Sequence, residues 1–433
     1  MNRFAVALML AWPLLAASND TFLLKNVTVH PVTGPDIANG MILVENGRIA
    51  EVGPKVAAKG ARVVDGKGLH AYPGMIDSAT QVGLAEISSV RETVDTNELG
   101  DFNPQLRALV AVNPESEHLP VVRANGITTV MTLPFQAGGG GMRGGASTTL
   151  IAGQGALIHL DGWTWEDLEV RRGAAMQLVF PSLETRSFRM ESMSMARTPF
   201  AEVKAAYEKR LKDLTEFFEE ARRYQQAKKG GAPGFQPDLK FEAMLPVLEG
   251  KMPVMVLAAR ERAIRDAIQF ADKQKIRIVI AGAREYGKTL ADLKAKGIPV
   301  VASPTLELPL NEDDPYDSAY TVPAELYKAG VKFAFATFNV QFARNLPYQA
   351  ATAVAFGLPY QEALKALTVN PAEIWGVSDQ IGSIDKGKWA DLMLTDGDPL
   401  EARTQIKALY IKGKQVELTN RHTKLFEKYM NRP

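Results

Sequence analysis

The chain has 433 residues, 46% of them hydrophobic and 23% charged, with a formal net charge of +1. These values suit a globular protein with one large core and room for a smaller satellite domain. So small a net charge supplies no field to attract nucleic acid or an anionic membrane, and no Lys/Arg run interleaved with aromatics occurs. There is no cysteine, which removes disulfides, thiol nucleophiles, thiolate zinc sites and a lipoprotein anchor together.

In chain order, residues 1–18 read as an export signal. Met1-Asn2-Arg3 supplies a positive start, Phe4 to Leu15 an apolar run, and Ala16-Ala17-Ser18 a small-residue cleavage site. The run is too short for a stable span, and no second run reaches spanning length. The mature protein is therefore expected in the periplasm or outside the cell, with no membrane association after signal removal.

Residues 19–70 read as short strands and form the first part of a small β-sandwich. Phe22 to Val29 is one strand, and Met41 to Val52 is a hairpin turning at Asn46-Gly47, where positive φ is cheap. Residues 381–433 match that style, with Ala390 to Leu394 and Ala408 to Ile411 as strands and a turn at Gly413 before Val416. The sandwich is thus expected to be composite, drawn from both chain ends.

Between them, residues 71–380 alternate apolar runs with helical stretches. Ile127 to Leu133, Pro253 to Ala258, Ile276 to Ala281, Ile298 to Ala302 and Val331 to Ala336 suit parallel strands buried on both faces. Glu261 to Lys273, Lys288 to Lys296 and Pro323 to Ala329 are the intervening helices. The fold class is α/β, a (β/α)8 TIM-type barrel, with a doubly wound sheet as the other arrangement such a pattern allows. A long charged helix, Phe200 to Lys229, interrupts the alternation; it is read as a solvated surface helix, or alternatively as a lid or oligomer contact.

Four stretches carry a resemblance. Pro73-Gly74-Met75-Ile76-Asp77 opens the middle region after Asp65-Gly66-Lys67-Gly68. Leu367-Thr368-Val369-Asn370-Pro371-Ala372 and Gly382-Ser383-Ile384-Asp385-Lys386-Gly387-Lys388-Trp389-Ala390-Asp391-Leu392 close it. In order and spacing these resemble the signatures of the amidohydrolase superfamily, in its imidazolonepropionase-like branch, from about Phe22 to Tyr410. The resemblance implies a barrel with a split β-sandwich, and hydrolysis of non-peptide C–N bonds by water activated on a divalent metal.

The same resemblance locates the positions where that metal would be held. The two histidines expected after the first barrel strand are replaced by Ala79 and Gln81. The histidine windows at the fifth and sixth strands read Val256-Leu257-Ala258-Ala259-Arg260 and Ile280-Ala281-Gly282-Ala283-Arg284. The eighth-strand aspartate falls within Ala336-Thr337-Phe338-Asn339, on Phe338. The five histidines are His30, His70, His118, His159 and His422, none a local pair. A hydrolytic metal site needs about three protein ligands and an open position. No metal site and no cofactor are therefore expected.

Other polar groups remain at the predicted mouth. Asp77 and Glu307 are the candidate catalytic carboxylates, Asp77 serving either chemistry or the strand end. Gln81, Arg260, Arg284 and Asn339 are candidate ligand-binding residues. The two arginines suit a carboxylate or phosphate, or else pair with Glu261, Glu285 or other acids. The acidic loop Glu307, Glu312, Asp313, Asp314 and Asp317 could bind a hard cation or simply be solvated. Gly138 to Gly145, with Arg143, could present N–H groups to an anion but lacks a P-loop ending. Trp163 and Trp165 are read as packing residues.

These observations point to a pseudoenzyme with the amidohydrolase scaffold, binding a small molecule or supporting a partner, either another copy or an active amidohydrolase. The alternative is an active hydrolase with an altered, metal-free or carboxylate-based site.

Overall fold

The computed structural model describes residues 21–58, 60–134, 149–189, 194–231 and 233–432. The export signal and the Gly138–Gly145 loop with Arg143 lie outside the described residues. Two eight-stranded sheets organise the chain.

The first sheet collects β1 (Phe22–Val29), β2 (Ile37–Glu45), β3 (Arg48–Gly53), β4 (Arg62–Asp65) and β5 (His70–Pro73) from the front of the chain. The strands numbered β16 (Leu392–Thr395), β17 (Ile406–Ile411) and β18 (Lys414–Val416) come from the back. The two ends join where β5 pairs antiparallel with β16, Tyr72 opposite Met393 and His70 opposite Thr395. They form one continuous ladder, with an apolar core of its own that includes Phe22, Leu24, Ile42, Val44, Leu392 and Tyr410. Phe22 stacks on Tyr410 with ring centroids 4.8 Å apart.

Two hairpin turns hold the ends together. Asn46 and Gly47 both have positive φ, as do Lys412 and Gly413. A Cβ on Gly47 would lie 2.4 Å from the Lys412 carbonyl oxygen, and one on Gly413 would lie 2.6 Å from the Gly47 Cα. The close approach of the two turns, as much as their φ, demands glycine at both.

The second sheet is the barrel. Its strands, in spatial order, are β6 (Met75–Thr80), β7 (Ile127–Thr132), β8 (Ile151–His159), β9 (Glu169–Val179), β12 (Val254–Leu257), β13 (Ile278–Ala283), β14 (Val300–Ala302) and β15 (Phe333–Ala334). The seam closes where the Ser78 amide donates to the Phe335 carbonyl at 3.2 Å. A short hairpin, β10 (Arg186–Arg189) with β11 (Ser194–Arg197), precedes the helix Phe200–Lys229.

Alternation along each strand fills the barrel. Ile76, Met131, Leu157, Ala175, Met255, Val279, Val301 and Ala334 share one buried cluster, the barrel interior. Their neighbours Met75, Val130, Ile158, Met176, Val254, Ile280, Val300 and Phe333 belong to another, under the helices. Apolar residues on both faces are what a covered sheet requires, and the continuous runs in the sequence follow from it.

One strand departs from the all-parallel arrangement. The strand β8 runs antiparallel to both β7 and β9. Antiparallel neighbours need no crossover helix, so a short link through a Thr164 capping box suffices between β8 and β9. The sequence reading, keyed to strand–helix alternation, missed both strands for that reason. The helix Phe200–Lys229 also differs from a purely solvated one. Leu214, Phe217, Phe218 and Ala221 are buried, Phe217 stacking on Phe102 and Phe218 packing edge-on to Phe270. It flanks the barrel. Trp165 packs against the outer core, whereas Trp163 is 80% exposed and corrects the packing expectation for it.

Candidate functional site at the C-terminal face of the barrel

Barrel proteins place their chemistry where the strands end, so the candidates were followed to that face. Asp77 is fully buried. Its Oδ1 accepts the Thr337 amide at 3.1 Å and the Ala79 amide at 3.2 Å, and its Oδ2 accepts the Thr337 hydroxyl at 2.5 Å. Burial pushes its pKa up to about 7, against the pull of the Thr337 hydrogen bonds. The carboxyl thus ties β6 to the segment after β15. Every contact is used inside the protein.

The next positions are apolar. Ala79, Leu133, Ala281 and Ala336 lie in the barrel-interior cluster, with Leu257 and Phe338 packed against it. The Phe338 amide donates to the Ala79 carbonyl at 2.8 Å. Phe338 has φ 50°, a left-handed conformation that a bulky side chain seldom adopts. Gln81 is partly exposed at this rim, its carbonyl accepting from Leu84. The Asn339 carbonyl takes the hydroxyls of Thr80 (2.7 Å) and Thr337 (3.2 Å), and its Oδ1 takes the Phe342 amide at 3.0 Å. Asn339 braces a turn.

The arginines meet carboxylates. Arg260 contacts Glu184 at 2.6 Å, Glu285 at 3.1 Å and the Asn311 carboxamide oxygen at 3.1 Å. Arg284 donates to the Leu308 carbonyl and lies 3.5 Å from Glu307. Loops after β9, β12, β13 and β14 are laced together by these pairs. Glu307 is thus an ion-pair partner of Arg284 at this rim. Within the acidic loop, Asn311 donates to Asp314 and holds its carboxyl below the usual range. A cavity beside Arg284, Ser303 and Asp314 measures about 20 Å³, room for a water and far short of an ordinary ligand pocket.

These donors bear on the divalent metal that the resemblance implies. Ala79, Leu257 and Phe338 offer no ligand atom, and Asp77 faces Thr337. Among the described residues no three His, Cys, Asp or Glu side chains gather in a way that could hold a metal. The described residues do not fit the group.

Tertiary structure makes two histidine pairings invisible in the sequence. His30 Nε2 and His70 Nδ1 are 2.9 Å apart, with Asp36 2.9 Å from the other His30 nitrogen. Burial lowers the His30 pKa although Asp36 opposes it. His159, at the end of β8, meets Asp391 at 2.8 Å with both side chains buried. Asp391 also accepts the Lys412 amide at 2.8 Å. Both pairings involve the first sheet, the second joining it to the barrel, remote from the C-terminal face.

With that geometry in view, the chain was compared with known proteins. The sequence model of the amidohydrolase family matches residues 125–416. The chain belongs to the amidohydrolase family. Among its relatives is the amidohydrolase TasK of Hapsidospora irregularis, 23% identical over 399 residues, 86% of this chain and 39% of TasK. An imidazolonepropionase of Flavobacterium johnsoniae is 38% identical over 91 residues, 20% of this chain and 22% of that protein. The chain thus spans less than half of either relative. Among solved structures, an amidohydrolase from Thermotoga maritima MSB8 superposes with a TM-score of 0.78 at 28% identity, over 92% of this chain and 99% of that one.

In the present chain the signature residues near the C-terminus build junctions. The Asn370 carboxamide donates to the Phe333 carbonyl at 2.9 Å, anchoring β15. Gly382 has φ 95°, and a Cβ there would lie 2.7 Å from the Ala372 Cβ. Ser383 donates to Asp385 at 2.6 Å and accepts from Lys388, so its hydroxyl is committed as well.

Proposed function

We propose that this amidohydrolase-family protein has given up metal-dependent hydrolysis of C–N bonds and acts by binding, as an exported homologue working outside the cytoplasm. The observation that carries this reading is the bond from Phe338 to Ala79 under an apolar cover. Two positions where the family resemblance puts metal ligands hold side chains without donors, and their backbones are sealed to each other.

The occupant of the C-terminal face is better sought among proteins than among small molecules. The cavity beside Arg284 is water-sized. Leu306, Leu308, Tyr316 and Phe342 stand exposed on loops of the same face, a composition suited to a protein contact. A second copy or an active amidohydrolase is the partner this reading expects.

The test is elemental analysis of the purified protein after chelation and re-addition of zinc, manganese or iron, with a parallel assay on linear and cyclic amides. Substoichiometric metal and no turnover are the expected results. Near-stoichiometric metal, with amide hydrolysis abolished by the chelator, would overturn the proposal.

A further inference from the structure

The C-terminal helix Arg421–Met430 is capped by Asn420, whose side chain accepts the His422 and Thr423 amides, yet it buries no residue. A ten-residue helix standing off the body is marginal in water by itself. Its apolar side chains make that costlier: Leu425 is 40%, Phe426 66%, Tyr429 51% and Met430 68% exposed. At the helical repeat these four cover a sector of about 140°. Arg421, Lys424 and Lys428 fill a separate sector of about 60° beside Leu425. The helix is therefore amphipathic with a basic flank, and none of the described residues covers it.

Charge selects the occupant. Arg421, Lys424, Lys428 and Arg432 face only Glu427, giving this short segment a net charge of +3 against +1 for the whole chain. A second copy of the helix packed on the apolar face would bring basic flank near basic flank. An anionic bilayer surface satisfies both sectors: Leu425, Phe426, Tyr429 and Met430 enter the headgroup boundary while the lysine and arginine stems reach phosphates. Tyr429 already lies beside Arg432, guanidinium to ring centroid 4.9 Å, the mixture that interfaces favour. No helix among the described residues is long and apolar enough to cross a membrane. Lying on one requires no such length, and the near-neutral charge of the whole chain conceals this local stripe.

We infer that residues 421–432 form a membrane-surface anchor that docks this protein on anionic lipid. The test is co-sedimentation with vesicles of phosphatidylglycerol and phosphatidylethanolamine, and with phosphatidylcholine vesicles as the neutral control. Wild-type protein is expected to bind the anionic vesicles and to be released by high salt. L425S/F426S should abolish the binding, and K424Q/K428Q should weaken it roughly thirtyfold. Because none of these side chains is buried, the melting temperature of both variants should match wild type. Equal binding to both vesicle types would overturn the inference. So would binding retained by L425S/F426S, which would place the contact elsewhere. Self-association lost in L425S/F426S without lipid binding would assign the helix to a second copy and also reject it.

Discussion

The amide of Phe338 donates to the carbonyl of Ala79 at 2.8 Å, joining the segment after β15 to the end of β6. This bond runs across the barrel seam, beside the hydrogen bonds that Asp77 makes to Thr337. It holds Phe338 at φ 50° while the ring packs on the barrel-interior cluster. Packing and backbone strain therefore oppose each other at one residue.

That opposition predicts an order of stabilities. Phe338→Gly relieves the left-handed backbone but gives up the ring contacts, whereas Phe338→Val loses most of the ring and adds a β-branch to a backbone that resists it. The valine variant is expected to be less stable than the glycine variant by about 1–2 kcal/mol. Urea denaturation of the two proteins side by side checks the order, and equal stabilities would show that the seam relaxes.

Asp77 predicts a pH effect of definite sign. Its folded pKa is raised to about 7 from an ordinary 3.8 by burial. The folded state therefore binds the proton more tightly, and this contribution to stability is complete below about pH 4 and lost as pH rises through 7. Asp77→Asn should remove the contribution, so that wild type minus variant stability declines between those values. Asp77→Ala leaves the Thr337 and Ala79 amides without their acceptor and should cost about 2–4 kcal/mol. Denaturation midpoints measured across that pH range test both statements; a difference that grows with pH would refute the first.

The guanidinium groups of Arg260 and Arg284 are engaged by Glu184, Glu285 and Glu307. Phosphate or small carboxylates should accordingly raise the melting temperature no more than sodium chloride of equal ionic strength. The pairs are partly exposed, so a double-mutant cycle on Arg260 and Glu285 should return a coupling below about 1 kcal/mol, weakened by salt. A specific anion-dependent rise would instead mark an anion site at this rim.

His159 and Asp391 are both buried, and Asp391 serves the Lys412 amide as well. Removing one member leaves a buried polar partner uncompensated. Asp391→Ala is expected to cost about 3–5 kcal/mol, seen as a large drop in denaturation midpoint. A loss under about 1 kcal/mol would show that water replaces the pair.

Much of the architecture was legible in the residues. Apolar runs such as Pro253 to Ala258 and Ile298 to Ala302 can be buried on both faces only in a covered sheet, and Asn46-Gly47 accepts positive φ wherever it occurs. The motif from Pro73 and the one ending in Ala390-Asp391-Leu392 carried the family resemblance, and that Ala79 and Phe338 have no side-chain donor atom is plain from the residues themselves. These are local properties, dictated by side-chain volume, backbone preference and donor chemistry. Only the tertiary structure decided the rest. The reversed β8 escapes a reading built on strand–helix alternation, because reversal depends on which strand pairs with which. That Asp77 spends its oxygens on Thr337, that Arg260 meets Glu184, and that His159 meets Asp391 across more than two hundred residues are facts of approach in space. Composition names the groups able to pair, and only the folded path of the chain brings particular partners within hydrogen-bonding distance.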